Sequence, residues 1–160
     1  MNHEIHKLKT WDEIRAIIMV EKAGGRNTGF TNGCFDILHV GHVRYLAEAR
    51  KRCDLLIVGL NSSGSVKRLK GPGRPINPQG DRAEVLAALE CVDYITIFEE
   101  DTPLELIKHI TPDMLFKGGD WKEEAIVGGD YVRQHGGKVV VVPYVSGYST
   151  TGTINKMKGE

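Results

Sequence analysis

The sequence predicts an α/β fold in which a five-stranded parallel sheet is doubly wound, in the Rossmann-like manner. From Phe30 onward, short apolar runs alternate with amphipathic stretches. Runs such as Leu55–Val58 and Val139–Val142 are apolar at every position, which is typical of strands covered on both faces. Strands that alternate with helices imply right-handed crossovers between parallel neighbours. Sheets of this kind bind ligands beyond the carboxyl ends of their strands, where the winding direction reverses.

A leading helix is predicted before the first strand. Trp11, Ile14 and Ile18 recur at helical spacing after Thr10, a plausible N-cap with Glu13 three positions later, and Gly24-Gly25 marks the end. We therefore divide the single domain expected over residues 1–160 into a leading helical segment, 1–27, and a core, 28–160.

Five strands and several helices are predicted within this core. The strands are expected at Phe30–Gly33, Leu55–Leu60, Tyr94–Phe98, Met114–Phe116 and Val139–Val142. Helices are expected around Val43, Leu46 and Ala47, around Val85, Leu86 and Leu89, around Leu104 and Ile107, near Tyr131, and after Ser149. The longest irregular stretch is expected from Asn61 to Gly80, a length that fits a functional loop.

Charge and composition exclude several classes of protein. Basic and acidic residues balance at 21 each, so no overall field favours nucleic acid or an anionic membrane. No run of 18 apolar residues or secretory signal is present, so neither secretion nor membrane insertion is expected. Cys34, Cys53 and Cys91 lack metal-ligand spacing and fit reduced thiols in a cytoplasmic protein.

The most informative segment is Thr31–His42, which follows the first predicted strand and precedes a helix. His39 and His42 are three residues apart at a predicted helix start, where backbone amides and the helix dipole attract anions. A phosphate could therefore sit between the two rings. Gly41 removes a side chain between them and would let a phosphate or nucleobase approach the backbone. Metal binding, helix capping or simple solvation are the ordinary alternatives for such a pair.

This segment resembles the His-x-Gly-His signature of the nucleotidyltransferase superfamily that includes cytidylyltransferases and pantetheine-phosphate adenylyltransferase. Within it, the chain is similar to the adenylyltransferases that form ADP-heptose from D-glycero-β-D-manno-heptose 1-phosphate. The supporting stretches are Thr31–His42, Val66–Gly71, Arg74–Pro78, Phe116–Trp121 and Tyr148–Thr151.

The resemblance implies transfer of AMP from ATP to a sugar 1-phosphate with release of pyrophosphate, Mg²⁺ accompanying ATP, and a homodimer or larger homo-oligomer. It implies catalytic roles for His39, His42 and Lys70. The nucleotide-binding residues that it implies are Thr31, Asn32, Gly33, Cys34, Phe35, His39, Gly41, His42, Lys117, Gly118, Asp120, Ser149, Thr150 and Thr151. The acceptor- or phosphate-binding residues are Asp36, Lys67, Lys70 and Arg82. No residue is assigned directly to a metal.

For several of these residues, a second interpretation of their role remains open. Lys70 is favoured over Lys67 for closing over phosphate, and a solvated basic loop is the alternative. Arg82 fits a bidentate phosphate ligand or a surface ion pair with Asp81 or Glu84. Asp36 fits turn structure better than the alternative, an effect on Mg²⁺ through water.

The end of the chain leaves further questions open. Trp121 fits base stacking or packing. In many members of the superfamily the last motif continues to a basic residue, but this sequence has Thr153, Ile154 and Asn155 there.

Other functions remain to be separated by experiment. A glycerol-3-phosphate cytidylyltransferase, or another enzyme that forms a CDP-alcohol, would use the same histidines. A nucleotide-sensing module would share the fold without the reaction. A dinucleotide-dependent oxidoreductase is disfavoured because no Gly-x-Gly-x-x-Gly turn follows the first strand.

Overall fold

The computed structural model describes residues 5–119, 121–143 and 146–159. Its helices are α1 (Trp11–Ala23), α2 (Val40–Arg50), α3 (Ser63–Lys70), α4 (Gln79–Ala87), α5 (Leu104–Ile110), α6 (Gly129–Gln134) and α7 (Thr150–Lys158). Its strands are β1 (Thr28–Gly33), β2 (Leu55–Asn61), β3 (Tyr94–Phe98), β4 (Met114–Gly118) and β5 (Lys138–Val142). A 3₁₀ turn covers Glu123–Ala125.

The doubly wound sheet is confirmed. The strand order is β3-β2-β1-β4-β5 and every pairing is parallel. The chain winds outward from β1 to β3, returns through α5 to β4 on the other side of β1, and completes the sheet at β5 before α7. The winding direction therefore reverses between β1 and β4, which places the expected ligand crevice beyond Gly33 and Gly118.

Two apolar layers hold the helices against the sheet. On one face, Leu46 and Ala49 of α2 pack with Ala83 and Leu86 of α4. On the other, residues of α1, α5 and α6 pack against β1, β2 and β4 in a second cluster that includes Ile14, Ile18, Phe30, Leu106, Ile107 and Val132. These faces explain why the strands are apolar at consecutive positions.

The leading helix forms as predicted. Thr10 and Glu13 make a reciprocal capping box: the Glu13 amide donates to Thr10 Oγ1 at 3.3 Å, and the Thr10 amide donates to Glu13 Oε2 at 2.7 Å. Each bond satisfies an amide that has no partner inside the helix. The helix ends where Gly24 follows Ala23.

The predicted irregular stretch from Asn61 to Gly80 is wrong, because α3 occupies Ser63–Lys70 and α4 already begins at Gln79. Ser62 caps α3 by accepting the Ser65 amide at 3.0 Å, and Val66 is fully buried. Lys67 and Lys70 therefore lie on a helix rather than on a flexible loop. Gly and Pro residues after position 70 made the segment resemble a loop, but one buried apolar residue and a serine cap suffice for two helical turns here.

Candidate active site

A cavity of about 760 Å³ opens beyond the carboxyl ends of β1 and β4. Its lining includes most of the predicted site residues, drawn from the ends of both strands, the start of α2, the end of α3 and the start of α7. They are Thr31, Asn32, Gly33, Cys34, Phe35, Asp36, His39, Gly41, His42, Lys70, Lys117, Gly118, Ser149, Thr150 and Thr151. Lys67 and Arg82 are not part of the lining. Asp120 lies outside the described residues.

The two histidines share the start of α2 in a specific geometry. His39 is the N-cap and its Nδ1 accepts the Gly41 amide at 3.1 Å, while His42 Nδ1 accepts the His39 amide at 3.3 Å. Because each Nδ1 accepts a hydrogen bond, the proton of each neutral ring resides on Nε2. Within the described residues, no hydrogen bond reaches either Nε2, so both remain as donors for a ligand.

The rings stack, with centroids 3.8 Å apart and planes inclined by 24°. The expectation that a phosphate sits between the imidazoles is therefore wrong, because the gap is filled by ring-to-ring contact. A ligand oxygen has to meet the Nε2 edges instead. Burial, and then the neighbouring His39, lower the pKa of His42 to about 4, and burial lowers the pKa of His39 as well. Both rings are neutral donors at pH 7.

Gly41 supports this pair by leaving room for its neighbours. A Cβ at this position would lie 2.9 Å from the His39 ring and 2.9 Å from Tyr148 Cβ. Tyr148 stacks over His39 with centroids 6.3 Å apart, so the start of α2 and the segment before α7 meet at this glycine. The absent side chain is required for protein packing, and an approach of ligand to the backbone is a separate prediction.

The turn between β1 and α2 is held in place by the buried ring of Phe35. Phe35 adopts a left-handed backbone with φ 44°, a conformation that costs a non-glycine residue about 1–3 kcal/mol. Its ring is buried and packs against His42 with centroids 5.2 Å apart. Through this contact, the conformation of the turn helps to fix the position of the His42 ring.

Asp36 anchors the turn to the segment that follows α3. Its buried carboxylate accepts the amides of Ile76 and Asn77 at 2.9 Å and Nε of Arg74 at 2.5 Å. Burial alone would raise the pKa of Asp36, but the Asn77 and Ile76 amides and then Arg74 outweigh it, so the pKa is below its usual value. These contacts fit the turn-structure interpretation, and direct binding of the acceptor by Asp36 stays a prediction.

Arg82 requires a correction. Its side chain is only 2% exposed and donates to three backbone carbonyls: Nη1 to Cys34 O at 2.6 Å and Asn61 O at 2.8 Å, and Nε to Asn77 O at 2.9 Å. The surface ion pair with Asp81 or Glu84 is wrong. Arg82 is not part of the cavity lining, and its buried Nη2 has no hydrogen-bond partner among the described residues, so phosphate binding by Arg82 stays a prediction.

The basic residues of α3 have different surroundings. Lys70 faces the cavity, whereas Arg68 pairs with Asp101 at 2.8 Å and also donates to the Glu99 carbonyl. On the opposite wall, burial lowers the pKa of Lys117, whose Nζ lies 5.2 Å from the centroid of the half-exposed Trp121 ring. Trp121 thus has a cation–π contact.

The last helix contributes hydroxyl groups. Ser149 caps α7 by accepting the Gly152 amide at 2.9 Å, and Thr150 Oγ1 donates to Ile37 O at 3.3 Å. Residues at the N-termini of α2 and α7 therefore line one cavity, where the positive ends of both helix dipoles lie.

Sequence reasoning assigned no role to several lining residues. They are Tyr45, Asn61, Leu69, Arg74, Asp101, Ser146, Gly147 and Tyr148. The position of Arg74, one residue before Pro75, gave no indication that its side chain turns back to Asp36 across 38 residues. Tyr45 has one visible signal, its place on the same helical face as His42, and its hydroxyl pairs with Thr31 Oγ1 at 2.8 Å.

A second, more open depression of about 590 Å³ lies between α1 and α5. Trp11, Arg15, Lys108 and His109 are among its lining residues. None of the predicted site residues lies there, and it is away from the carboxyl ends of the strands. Among the described residues, no helix is long and apolar enough to cross a membrane.

The fold and this cavity define a nucleotide-binding α/β protein, with imidazole donors and two helix N-termini directed at one anion site. The chain belongs to the cytidylyltransferase-like family, a family of nucleotidyltransferases, whose model matches residues 30–151.

Curated relatives are similar over nearly the whole chain. "Bifunctional protein HldE" of Trichlorobacter lovleyi is 53% identical over 94% of this chain and 31% of that protein. The protein of the same name from Mesorhizobium japonicum is 56% identical over 96% of this chain and 31% of its own length. The chain thus spans about a third of the length of the curated relatives that it matches.

Solved structures agree with the fold. The lipopolysaccharide core biosynthesis protein from Thermoplasma volcanium GSS1 superposes with a TM-score of 0.62 at 25% identity, covering 78% of this chain and all of that one. Pantoate-beta-alanine ligase from Francisella tularensis gives a TM-score of 0.60 at 14% identity, over 94% of this chain and 76% of the ligase. The second likeness concerns the fold alone.

Proposed function

We propose that this chain transfers AMP from ATP to D-glycero-β-D-manno-heptose 1-phosphate, which yields ADP-heptose and pyrophosphate for lipopolysaccharide-type heptose precursors. The observation that carries the proposal is the pair of Nε2 donors at the start of α2, inside a cavity at the sheet's switch point. Membership of the cytidylyltransferase-like family supports the reaction class. Similarity to the HldE proteins and to a lipopolysaccharide core biosynthesis protein supports the sugar phosphate as acceptor.

The reaction requires alignment more than a strong base. An oxygen of the acceptor phosphate is already ionised near neutral pH and attacks the α-phosphorus of ATP, while the bond from that phosphorus to the bridging oxygen of pyrophosphate breaks. Negative charge grows on the departing pyrophosphate. His39 and His42 donate from Nε2 to these phosphate oxygens, and Lys70 adds a positive charge.

Neutral histidines suit this role because their donor atoms are fixed before the substrate arrives. Each Nδ1 is bonded to a backbone amide, so the rings cannot rotate without losing a helix-capping contact. Fixed donors need no reorganisation when charge develops in the transition state. We assign the nucleotide to Lys117 and Gly118 at the end of β4, to Asp120 two positions further along the sequence, and to Ser149, Thr150 and Thr151 at α7.

Mg²⁺ is expected to accompany ATP and, when bound, to offset the charge of the β- and γ-phosphates. Among the described residues, no group of three or more His, Cys, Asp or Glu side chains is placed to hold an ion. Asp36, the acidic side chain closest in sequence to the histidines, is engaged by Arg74 and two amides. We therefore assign no protein ligand and expect phosphate oxygens and water to hold the ion.

Three further properties follow from the proposal. The balanced charge supports small-molecule substrates over nucleic acid, and the three free cysteines support a cytoplasmic location. Family resemblance supports a homodimer or larger homo-oligomer, which light scattering of the purified protein would measure.

The test supplies purified protein with Mg²⁺, the heptose 1-phosphate and either ATP or CTP, and measures pyrophosphate and nucleotide-sugar together. We expect ADP-heptose with ATP and a much lower kcat/KM with CTP. A His42→Asn protein purified in parallel controls for contaminating activity. Product from CTP alone, or from glycerol 3-phosphate in place of the sugar phosphate, would move the assignment to a CDP-alcohol enzyme. Nucleotide binding without product from any acceptor would favour a sensing module.

A further inference from the structure

Arg74 lies in the cavity wall although no sequence signal assigned it a role. It follows α3 in the segment that leads to α4, and its side chain is only 16% exposed. Its Nε donates to Asp36 Oδ2 at 2.5 Å. Within the described residues, neither of its Nη nitrogens makes a hydrogen bond. Asp36 thus holds the guanidinium at Nε, and both Nη nitrogens remain available as donors to a ligand.

The support beneath Arg74 is rigid. Asp36 is 2% exposed and its carboxylate also accepts the amides of Ile76 and Asn77, while the Asn77 side chain donates to Asp36 O at 2.8 Å. These contacts fix both ends of the ion pair. A guanidinium held in this way presents a preorganised pair of donors, the geometry that matches two oxygens of a phosphate.

Lys70 lies on the same wall. It is the last residue of α3, lines the cavity, and like Arg74 exerts its charge on the Cys34 thiol. Among residues 5–119, 121–143 and 146–159, no carboxylate lies within 4.0 Å of the Lys70 ammonium, whereas Arg68 on the same helix is paired with Asp101. We call Lys70 and Arg74 the basic wall.

Topology places the basic wall apart from the nucleotide residues. The sheet order is β2-β1-β4, so the segment after β2 and the segment after β4 flank the turn after β1 from opposite sides. Lys117 and Gly118 end β4, at the winding switch where nucleotides bind in such sheets. The basic wall follows β2, on the other flank of Cys34. Two anionic substrates that react with each other need two adjacent cationic subsites, and the cavity has one on each flank.

We propose that the basic wall binds the phosphate of the acceptor, with Arg74 as its specificity-determining ligand and Asp36 as the positioning residue. The chemical class of the ligand is a phosphomonoester on a small polyol or sugar. This inference rests on the proposed function, because it assigns the second substrate of that reaction to one flank of the cavity.

The experiment separates acceptor binding from ATP binding. Arg74→Gln removes both the positive charge and the paired Nη donors, whereas Arg74→Lys keeps the charge alone. Arg52→Gln is the matched control, since Arg52 lies just after α2 and makes a partly exposed ion pair with Glu48. For each protein, KM is measured for the sugar phosphate and for ATP. Binding of inorganic phosphate to protein saturated with a non-hydrolysable ATP analogue is followed by ³¹P NMR, which needs no turnover.

We expect Arg74→Gln to raise the acceptor KM and the phosphate dissociation constant about 10- to 100-fold, the scale of a lost charge-assisted bidentate contact, with ATP KM changed less than about threefold. Arg74→Lys should fall between Arg74→Gln and wild type, and Arg52→Gln should match wild type. Thermal unfolding and ATP binding show whether the variants remain folded.

The outcomes distinguish the two proposals. A wild-type protein that makes no nucleotide-sugar but binds phosphate through Arg74 would sink the sugar-phosphate reaction and leave the subsite standing. An Arg74→Gln protein with wild-type phosphate affinity and acceptor KM would overturn the subsite. Equal losses for ATP and acceptor would also overturn it, because they would show that Arg74 only maintains the turn below both substrates.

Discussion

The two helices that begin at the cavity, α2 and α7, are attached to the molecule in different ways. Helix α2 rests on a buried face that includes Leu46 and Ala49. In contrast α7, all of it within the described part of the chain, buries no residue. Thr150 in its first turn donates from Oγ1 to Ile37 O of the β1–α2 turn, and Tyr148 just before the helix stacks on His39.

The caps differ as well. The hydroxyl oxygen of Ser149 accepts a hydrogen bond from the Gly152 amide, which is ordinary N-capping. His39 caps α2 with one ring nitrogen and keeps the other for a ligand, and His42 does the same for the amide of the cap residue. An imidazole can therefore join helix capping to ligand binding, since its two nitrogens point in different directions. We expect changes in α2 to lower turnover and changes in α7 to weaken nucleotide binding.

The largest effect is expected at His42. His42→Ala removes both the Nε2 donor and the acceptor for the His39 amide, and His42→Asn restores an acceptor near the Nδ1 position only. Both variants should lose about 10²–10³-fold in kcat, the range for one transition-state donor, whereas His42→Asn should unfold at a higher temperature than His42→Ala. His135→Ala, a change at the exposed C-cap of α6, is the control and should retain wild-type kcat. Near-normal turnover in folded His42→Asn would contradict the proposed role.

Gly41→Ala tests the junction between the two helices. The added Cβ would lie 2.9 Å from both His39 and Tyr148, so one of them must move. Overpacking of this kind costs about 1–3 kcal/mol, and we expect a lower free energy of unfolding together with a lower kcat. Gly80→Ala is closely matched, because Gly80 is also the second residue of its helix but has no atom within 4 Å of the added carbon. That variant should be as stable as wild type or more so; equal behaviour of the two variants would argue against tight packing at Gly41.

The pH dependence of stability offers a smaller signal with a definite sign. Burial, and then His39, lower the pKa of His42 from 6.5 to about 4. Between these values the unfolded chain binds a proton that the folded protein does not, so the free energy of unfolding falls as pH decreases from 6.5 to 4. Above pH 6.5 this contribution is fully present. Urea unfolding at several pH values should therefore show a shallower acid slope for His42→Asn than for wild type, and parallel slopes would refute the assignment.

The smallest effect is expected at α7. Ser149→Ala removes the N-cap, which costs about 1 kcal/mol of local helix stability, and should raise the KM for ATP a few-fold with little change in kcat. Ser149→Thr keeps the hydroxyl and should behave as wild type. Hydrogen exchange of the α7 amides reports the cap directly. If Ser149→Ala lowered kcat as much as His42→Asn, the division between the two helices would fail.

Local patterns were sufficient for the five strands and for the leading helix. Strand runs such as Leu55–Leu60 and the capping box at Thr10 depend on neighbours within a few residues, and the structure confirms them. The helix α3 was missed because its sequence has few apolar residues and precedes a Gly- and Pro-rich stretch. Its tertiary contacts include the burial of Val66 and Ser65, which takes place only when the chain folds.

The sequence by itself determined the fold class, the expected place of the site beyond the strand ends and the histidine pair, because the strand and helix patterns and the position of the motif follow from periodicity and from the rules of parallel sheets. The strand order itself came from the tertiary structure. The directions of individual side chains depended on tertiary structure. Only the folded chain showed that Arg82 is buried against three carbonyls, and that Arg74 reaches Asp36 across 38 residues. Long-range contacts of this kind leave no periodic trace, since either partner has the same composition and spacing whether its side chain faces water, a backbone carbonyl or a ligand.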